Sequence, residues 1–117
     1  MAEGGDALEE LARSRQVARA AAETLFTQQR EAESRGDIRT AEKLSAARSD
    51  ALSLVRSLTT KIQTGIIRPG GNVPSLKQAT EELEERIERM NQTIADLQDA
   101  RAVLSILTSL VSIVSAF

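Results

Sequence analysis

Apolar residues recur every three or four positions along most of this chain, which is the spacing of one face of an α-helix. Asp6 with Glu9 predicts a capping box, and the first series ends at Gly36. Asp37 starts the second series, and a third follows a loop that contains Pro69, Gly70 and Gly71. The pattern predicts helices over about 7–34, 38–65 and 76–116, with a loop at 66–74.

The residues along each predicted helix favour coiled-coil-like packing. Helix one has an apolar residue at every seventh position, namely Leu11, Ala18, Leu25 and Ala32. Helix three carries a similar apolar seam, formed by Leu76, Leu83, Ile87, Met90, Ile94 and Leu97. Because so short a turn at Gly36–Asp37 makes the first two helices an antiparallel hairpin, we expect an all-α antiparallel three-helix bundle. A chain of 117 residues has room for one domain, over 1–117.

The third predicted helix is too long for the hairpin that it packs against. Helices one and two are each ~42 Å long and helix three is ~60 Å long at 1.5 Å per residue. Helix three therefore runs out of neighbours near Val103, and no charged residue follows Arg101. We predict that the segment beyond this point is an interaction surface, formed by Val103, Leu104, Leu107, Leu110, Val111, Val114 and Phe117.

An exposed apolar segment of this size must be covered, and four covers fit the sequence. The helix can break near 101–103 and fold back as a short fourth helix, or pair with its copy in a homo-oligomer. It can also dock on a different protein or enter a membrane. Residues 102–117 span only ~24 Å as a helix, which favours shallow insertion or a short pore over a standard membrane anchor.

Composition narrows the chemistry available to the chain. It contains no Cys and no His, which removes the usual zinc ligands, the thiol nucleophile and the commonest general base. Five glutamates lie in the first turns of helix three, where a solvated acidic face interacts favourably with the helix dipole: Glu81, Glu82, Glu84, Glu85 and Glu88. We expect no enzyme activity and no catalytic, cofactor-binding, metal or small-molecule site.

The charge pattern does not favour a nucleic-acid partner. The formal net charge is −2, basic residues are scattered, and Trp and Tyr are absent. Arg48 interrupts the apolar seam of helix two. We expect its side chain to face Glu23, Gln29 or an acid of helix three, or to extend into solvent along its own stem.

These features predict a non-enzymatic structural or protein-interaction module. It associates with itself or with a protein partner through residues 102–117. The alternative is a membrane-active protein, of the pore-forming or lysis type, that inserts the same segment. The polar, acidic N-terminus does not resemble a signal peptide, so we expect a cytoplasmic location, with membrane association through the C-terminal segment as the alternative.

Overall fold

The chain forms four α-helices in a computed structural model that describes residues 2–117, with side chains described from Ala7 onward. They are α1 (Ala2–Ser34), α2 (Ile38–Thr64), α3 (Val73–Gln92) and α4 (Leu97–Ser115). The described residues contain no β-strand, and the prediction of an all-α fold is confirmed.

Each helix packs against two others. α1 lies between α2 and α3, and α4 also lies between α2 and α3, so α1 and α4 are diagonal to each other. The α1–α2 turn and the α3–α4 connection share one end, where the Arg35 guanidinium donates to the Ala95 carbonyl at 3.3 Å. At the other end, the Arg68 N–H donates to the Phe117 carbonyl at 2.7 Å. The helices therefore alternate in direction within a body of 52 × 21 × 17 Å.

The α1–α2 turn has the residues that its geometry requires. Gly36 has a φ of +76°, a left-handed conformation that favours glycine. The Asp37 side chain caps α2 by accepting the Thr40 N–H at 3.3 Å. Hydrogen bonds from Thr40 are the main reason that the pKa of Asp37 lies below its ordinary value, and Arg35 and Arg39 lower it further.

Two helix starts differ from the predicted ones. α1 begins at Ala2 rather than near residue 7, and the side chain of Asp6, on which the predicted capping box depends, lies outside the described residues. α3 begins at Val73 because the Asn72 side chain accepts the Ser75 N–H at 2.9 Å. Pro74 fits the first turn, where no intrahelical N–H donor is needed.

The uninterrupted third helix predicted over 76–116 is wrong. α3 ends at Gln92, and residues 93–96 reverse the chain, so that α4 returns beside α3. The break precedes the 101–103 region in which the fold-back alternative places it. At 100° per residue, a straight helix would turn the buried side of α4 about half a turn away from the buried side of α3. One straight helix could therefore not bury both sides in the same core.

The corner between α3 and α4 is held by a side chain of α1. Gln28 is 8% exposed, and its Nε2 donates to the carbonyls of Met90 at 2.6 Å and Thr93 at 3.0 Å. Its Oε1 accepts the Ala95 N–H at 3.0 Å. Asp96 begins α4 with a reciprocal capping box to residue 99. These contacts satisfy backbone groups that the break would otherwise leave without partners.

The core is one cluster, aliphatic apart from Phe117, that draws on all four helices. A polar pair interrupts it between α1 and α3, where the hydroxyls of Ser14 and Thr80 lie 2.5 Å apart. Since the Thr80 hydroxyl donates to the Leu76 carbonyl at 2.7 Å, it accepts from Ser14. This buried pair favours one alignment of α1 and α3, because a shift along the axis would leave the buried Ser14 hydroxyl without its partner.

Replacing Gln28 with alanine should lower the free energy of unfolding by about 1–3 kcal/mol, because backbone groups at the corner lose buried hydrogen bonds. Gln16→Ala on the exposed side of α1 is the matched control, with an expected change within about 0.5 kcal/mol. Urea unfolding followed by circular dichroism measures both changes. Equal stability of the two variants would contradict the role given to Gln28.

Candidate functional site

The seven residues predicted as an interaction surface lie on α4 and just beyond it, and most are covered by the chain itself. Five are at most 1% exposed: Val103, Leu107, Leu110, Val114 and Phe117. Leu104 is half-buried, and Val111 is 42% exposed. The structure brings the buried five together against α2 and α3, and the predicted projection beyond Val103 is absent.

Phe117 anchors the end of this segment in the loop between α2 and α3. A Cβ atom added at Gly71 would lie 2.6 Å from Cγ of the Phe117 ring, far inside van der Waals contact. Any side chain at this position would therefore displace the Phe117 ring or the loop. Arg68 adds two hydrogen bonds, from its N–H to Phe117 and from its guanidinium to the Ser115 carbonyl.

The outer side of α4 carries small hydroxyl residues and no charge. Its exposed positions after Arg101 include Ser105, Thr108, Ser109, Ser112 and Ser115. The Thr108 hydroxyl donates to the Leu104 carbonyl at 2.9 Å, and the Ser115 hydroxyl donates to the Ser112 carbonyl at 2.7 Å. These two hydroxyl donors already have acceptors within the helix, so burying them against another surface costs little free energy.

Two shallow grooves flank α4, one on each side. The groove toward α2 contains Val111 and is lined by Ser53, Leu54, Ser57, Lys61, Val114 and Ser115. The groove toward α3 is lined by Ser75, Gln78, Ala79, Glu82, Ser105, Ile106, Ser109 and Ile113. Both are walled largely by short uncharged side chains, so another helix could approach closely. We call the exposed side of α4 after Arg101 the uncharged face; the groove walls contributed by α2 and α3 hold one charge each, Lys61 and Glu82.

The acidic side of α3 forms ion pairs with α1. The Arg13 guanidinium lies 3.0 Å from the Glu84 carboxylate and 3.8 Å from that of Glu81. Within the described part of the chain, no group of three or more acidic side chains is placed to share a metal ion.

A cluster of arginines around an aromatic ring was not expected from the sequence. Arg48 does not pair with an acid, and its guanidinium carbon instead lies 4.6 Å from the ring centre of Phe26. Arg30 lies 5.7 Å from the same ring. The spacing of four between Phe26 and Arg30 was a readable signal, because residues four apart on a helix are neighbours. The contact with Arg48 depends on how α1 and α2 align.

One described helix, α4, is long and apolar enough to cross a membrane by length and composition alone. It has 19 residues and a mean hydropathy of 1.4, with 28% of the apolar window buried in the fold. A core helix of a soluble protein passes the same test.

Comparisons with protein-family models, with curated proteins and with solved structures find no match to this chain.

Truncating the buried and the exposed residues of α4 should have very different effects on stability. Leu107→Ala removes a side chain that is 0% exposed and should lower the free energy of unfolding by about 2–5 kcal/mol. Val111→Ala should change it by less than about 1 kcal/mol, because Val111 is 42% exposed. Chemical denaturation of both variants measures the difference. Similar losses of unfolding free energy in the two variants would mean that α4 does not pack with Leu107 buried and Val111 exposed.

Proposed function

We propose that this chain is a non-enzymatic helical interaction module that associates through residues 102–117, with its own copy or with another protein. The observation that carries the proposal is the uncharged face of α4. Charged residues make up 27% of the chain, yet none follows Arg101. A helix surface that stays free of charge over four turns is suited to burial against a neighbour, because no charge loses its hydration there.

The contact energy of this face would come from a few apolar side chains. Leu97, Leu104 and Val111 are spaced by seven along the edge of α4 nearest α2, which is the repeat of a coiled-coil seam. Leu97 and Leu104 are half-buried and Val111 is exposed, so each keeps some surface to bury in a partner. Coiled-coil-like packing of a partner helix along this edge is part of the proposal.

A second copy of the chain suits this face. In a twofold homodimer the same surface meets itself, so any charge on it would meet a like charge. A face of hydroxyl and aliphatic groups avoids that repulsion. The proposal requires no cofactor, no nucleic acid and no small-molecule substrate.

Val111→Glu should abolish association through the uncharged face, because in a twofold contact the two carboxylates would face each other and would have to lose their hydration. Light scattering after size-exclusion chromatography measures the mass at increasing protein concentration. The matched control is Ile38→Glu, which changes an apolar residue that is 58% exposed at the distant end of α2.

In about 0.5 M NaCl, where contacts between surface charges are screened, the wild type and Ile38→Glu should both show a mass above that of the 12.7 kDa monomer, and Val111→Glu should not. Equal masses for Val111→Glu and the wild type would remove this face from the interaction. A strictly monomeric wild type would count against self-association, and binding of a different protein would then be the only role left for the uncharged face.

The second candidate function is membrane activity, which the apolar composition of α4 favours. Nineteen residues of helix span ~28 Å, close to the ~30 Å hydrocarbon thickness of a bilayer. Insertion would require α4 to detach from the bundle and to exchange its contacts with α2 and α3 for contacts with lipid. We propose a cytoplasmic location for the interaction module and a membrane-associated location for the membrane-active protein.

Dye release from liposomes separates the two functions. A membrane-active protein should release dye from phosphatidylcholine vesicles, and Gln28→Ala should release it faster because the corner that retains α4 is weakened. An interaction module should leave vesicles intact and should not float with them in a density gradient. Leakage by the wild type with no increase for Gln28→Ala would contradict insertion by release of α4.

A further inference from the structure

A charged surface runs along the edge where α1 meets α2. Arg15, Arg19, Phe26 and Arg30 are spaced by four, seven and four, so they follow one edge of α1. Arg48, Leu52 and Arg56 are spaced by four on α2. The two rows adjoin, because Arg48 lies over Phe26 and the Arg15 guanidinium donates to Thr59 of α2 at 3.4 Å. We call these seven residues the arginine–phenylalanine stripe.

This stripe is positively charged and partly apolar. It holds five arginines, and the acidic residues beside it on α1 are Glu23 and Glu33, which leaves an excess of three positive charges. Phe26 is 40% exposed and Leu52 is 39% exposed. Arginine and aromatic residues are enriched at the positions that contribute most of the binding free energy in protein interfaces.

The guanidinium groups of the stripe are positioned but not neutralised. Among the described residues, ion pairs involve only Arg13 and Arg35, neither of which belongs to the stripe. Arg30 and Arg48 are instead held beside the Phe26 ring. A guanidinium beside a ring keeps N–H groups free to bind a carboxylate with two parallel hydrogen bonds.

A complementary surface occurs on α3 of the same chain. Glu81, Glu84, Glu85 and Glu88 are exposed along its outer side, and we call them the glutamate stripe. Arg13 of α1 pairs with Glu81 and Glu84, so the carboxylates of this stripe that have no ion pair among the described residues are Glu85 and Glu88. Each lies four residues from another glutamate, a like-charged spacing that destabilises an isolated helix. A partner that brings positive charge to this stripe would relieve that repulsion.

The two stripes cannot meet within one chain. The edge of α1 that carries Ser14 and Thr24 contacts α3, whereas the edge that carries Phe26 contacts α2. α2 and α3 are diagonal to each other, so the arginines of α2 face away from the glutamates of α3. Two copies can join the stripes, one copy supplying each.

We propose that the arginine–phenylalanine stripe of one copy binds the glutamate stripe of a second copy. The net charge of −2 disfavours long-range attraction to a polyanion such as nucleic acid or an anionic membrane, whereas a local cluster of carboxylates on a helix fits the stripe. Because each copy carries both stripes, the contact is head-to-tail and can extend beyond a dimer. This association uses no residue of α4, so it is independent of the function proposed above.

A charge-reversal exchange tests the contact. Arg30→Glu/Arg56→Glu removes the positive stripe of one chain, and Glu85→Arg/Glu88→Arg removes the negative stripe of another. Each variant alone should lose the salt-sensitive association, with a dissociation constant for that contact at least roughly tenfold weaker in low salt, near 20 mM NaCl. A 1:1 mixture should recover it, because the intact positive stripe of the second variant meets the intact negative stripe of the first.

The matched control is Arg39→Glu/Glu42→Arg, which reverses two exposed charges of α2 outside both stripes and should associate like the wild type. Circular dichroism checks that each variant is folded, and sedimentation velocity measures the masses. In the wild type, raising NaCl to about 0.5 M should also weaken the contact, since screening shortens the range of surface charges.

A wild type that stays monomeric in low salt overturns the proposal, as does a mixture of the two variants that fails to associate. Association that is lost with Val111→Glu but insensitive to salt and to charge reversal also overturns it, and leaves the proposed function of α4 intact. Loss of the salt-sensitive association in the charge variants, with Val111→Glu unaffected, supports the contact between stripes.

Discussion

The structure depends on one constraint, which is that the polar backbone at the α3–α4 corner must find partners inside the fold. Where a helix stops, its last carbonyls and the next N–H groups lose their intrahelical bonds. Gln28 supplies three of the missing contacts from α1, to Met90, Thr93 and Ala95. Because the backbone groups at the corner have hydrogen-bond partners, α4 can return along α2 and α3. The most apolar part of the chain then becomes part of the core.

This corner also determines what α4 can offer to other molecules. Folding back places Val103, Leu107 and Leu110 inside and leaves a face of hydroxyl residues with Val111 outside. The surface available for association is therefore narrower and more polar than the apolar segment as a whole. The charged surfaces lie elsewhere, on the outer edges of α1, α2 and α3, so this small body presents chemically distinct sides.

Much of the fold could be predicted from sequence because the relevant signals are local. The periodicity of apolar residues, Gly36 at a positive φ and Asp37 as a helix cap all act within a few residues.

The corner at 93–96 could not be placed by periodicity, because the apolar seam continues through Ile94 and Leu97 and no Gly or Pro interrupts it. Asp96 followed three residues later by Asp99 was a readable helix start. The contact from Gln28, 62 to 67 residues away in sequence, was not readable. For the same reason, sequence identified the residues of the C-terminal segment but could not divide them into buried and exposed ones.

The most direct test of this account is the distance between α3 and α4 in the dilute, monomeric chain. The chain has no cysteine, so Gln78→Cys and Ser109→Cys provide two unique sites for spin labels, both on the groove between α3 and α4. Pulsed electron paramagnetic resonance should give a single short distance, since the two residues line the same groove. A distance near ~46 Å, which 31 residues of straight helix would produce, would contradict the fold-back and the division of α4 into core and surface that rests on it.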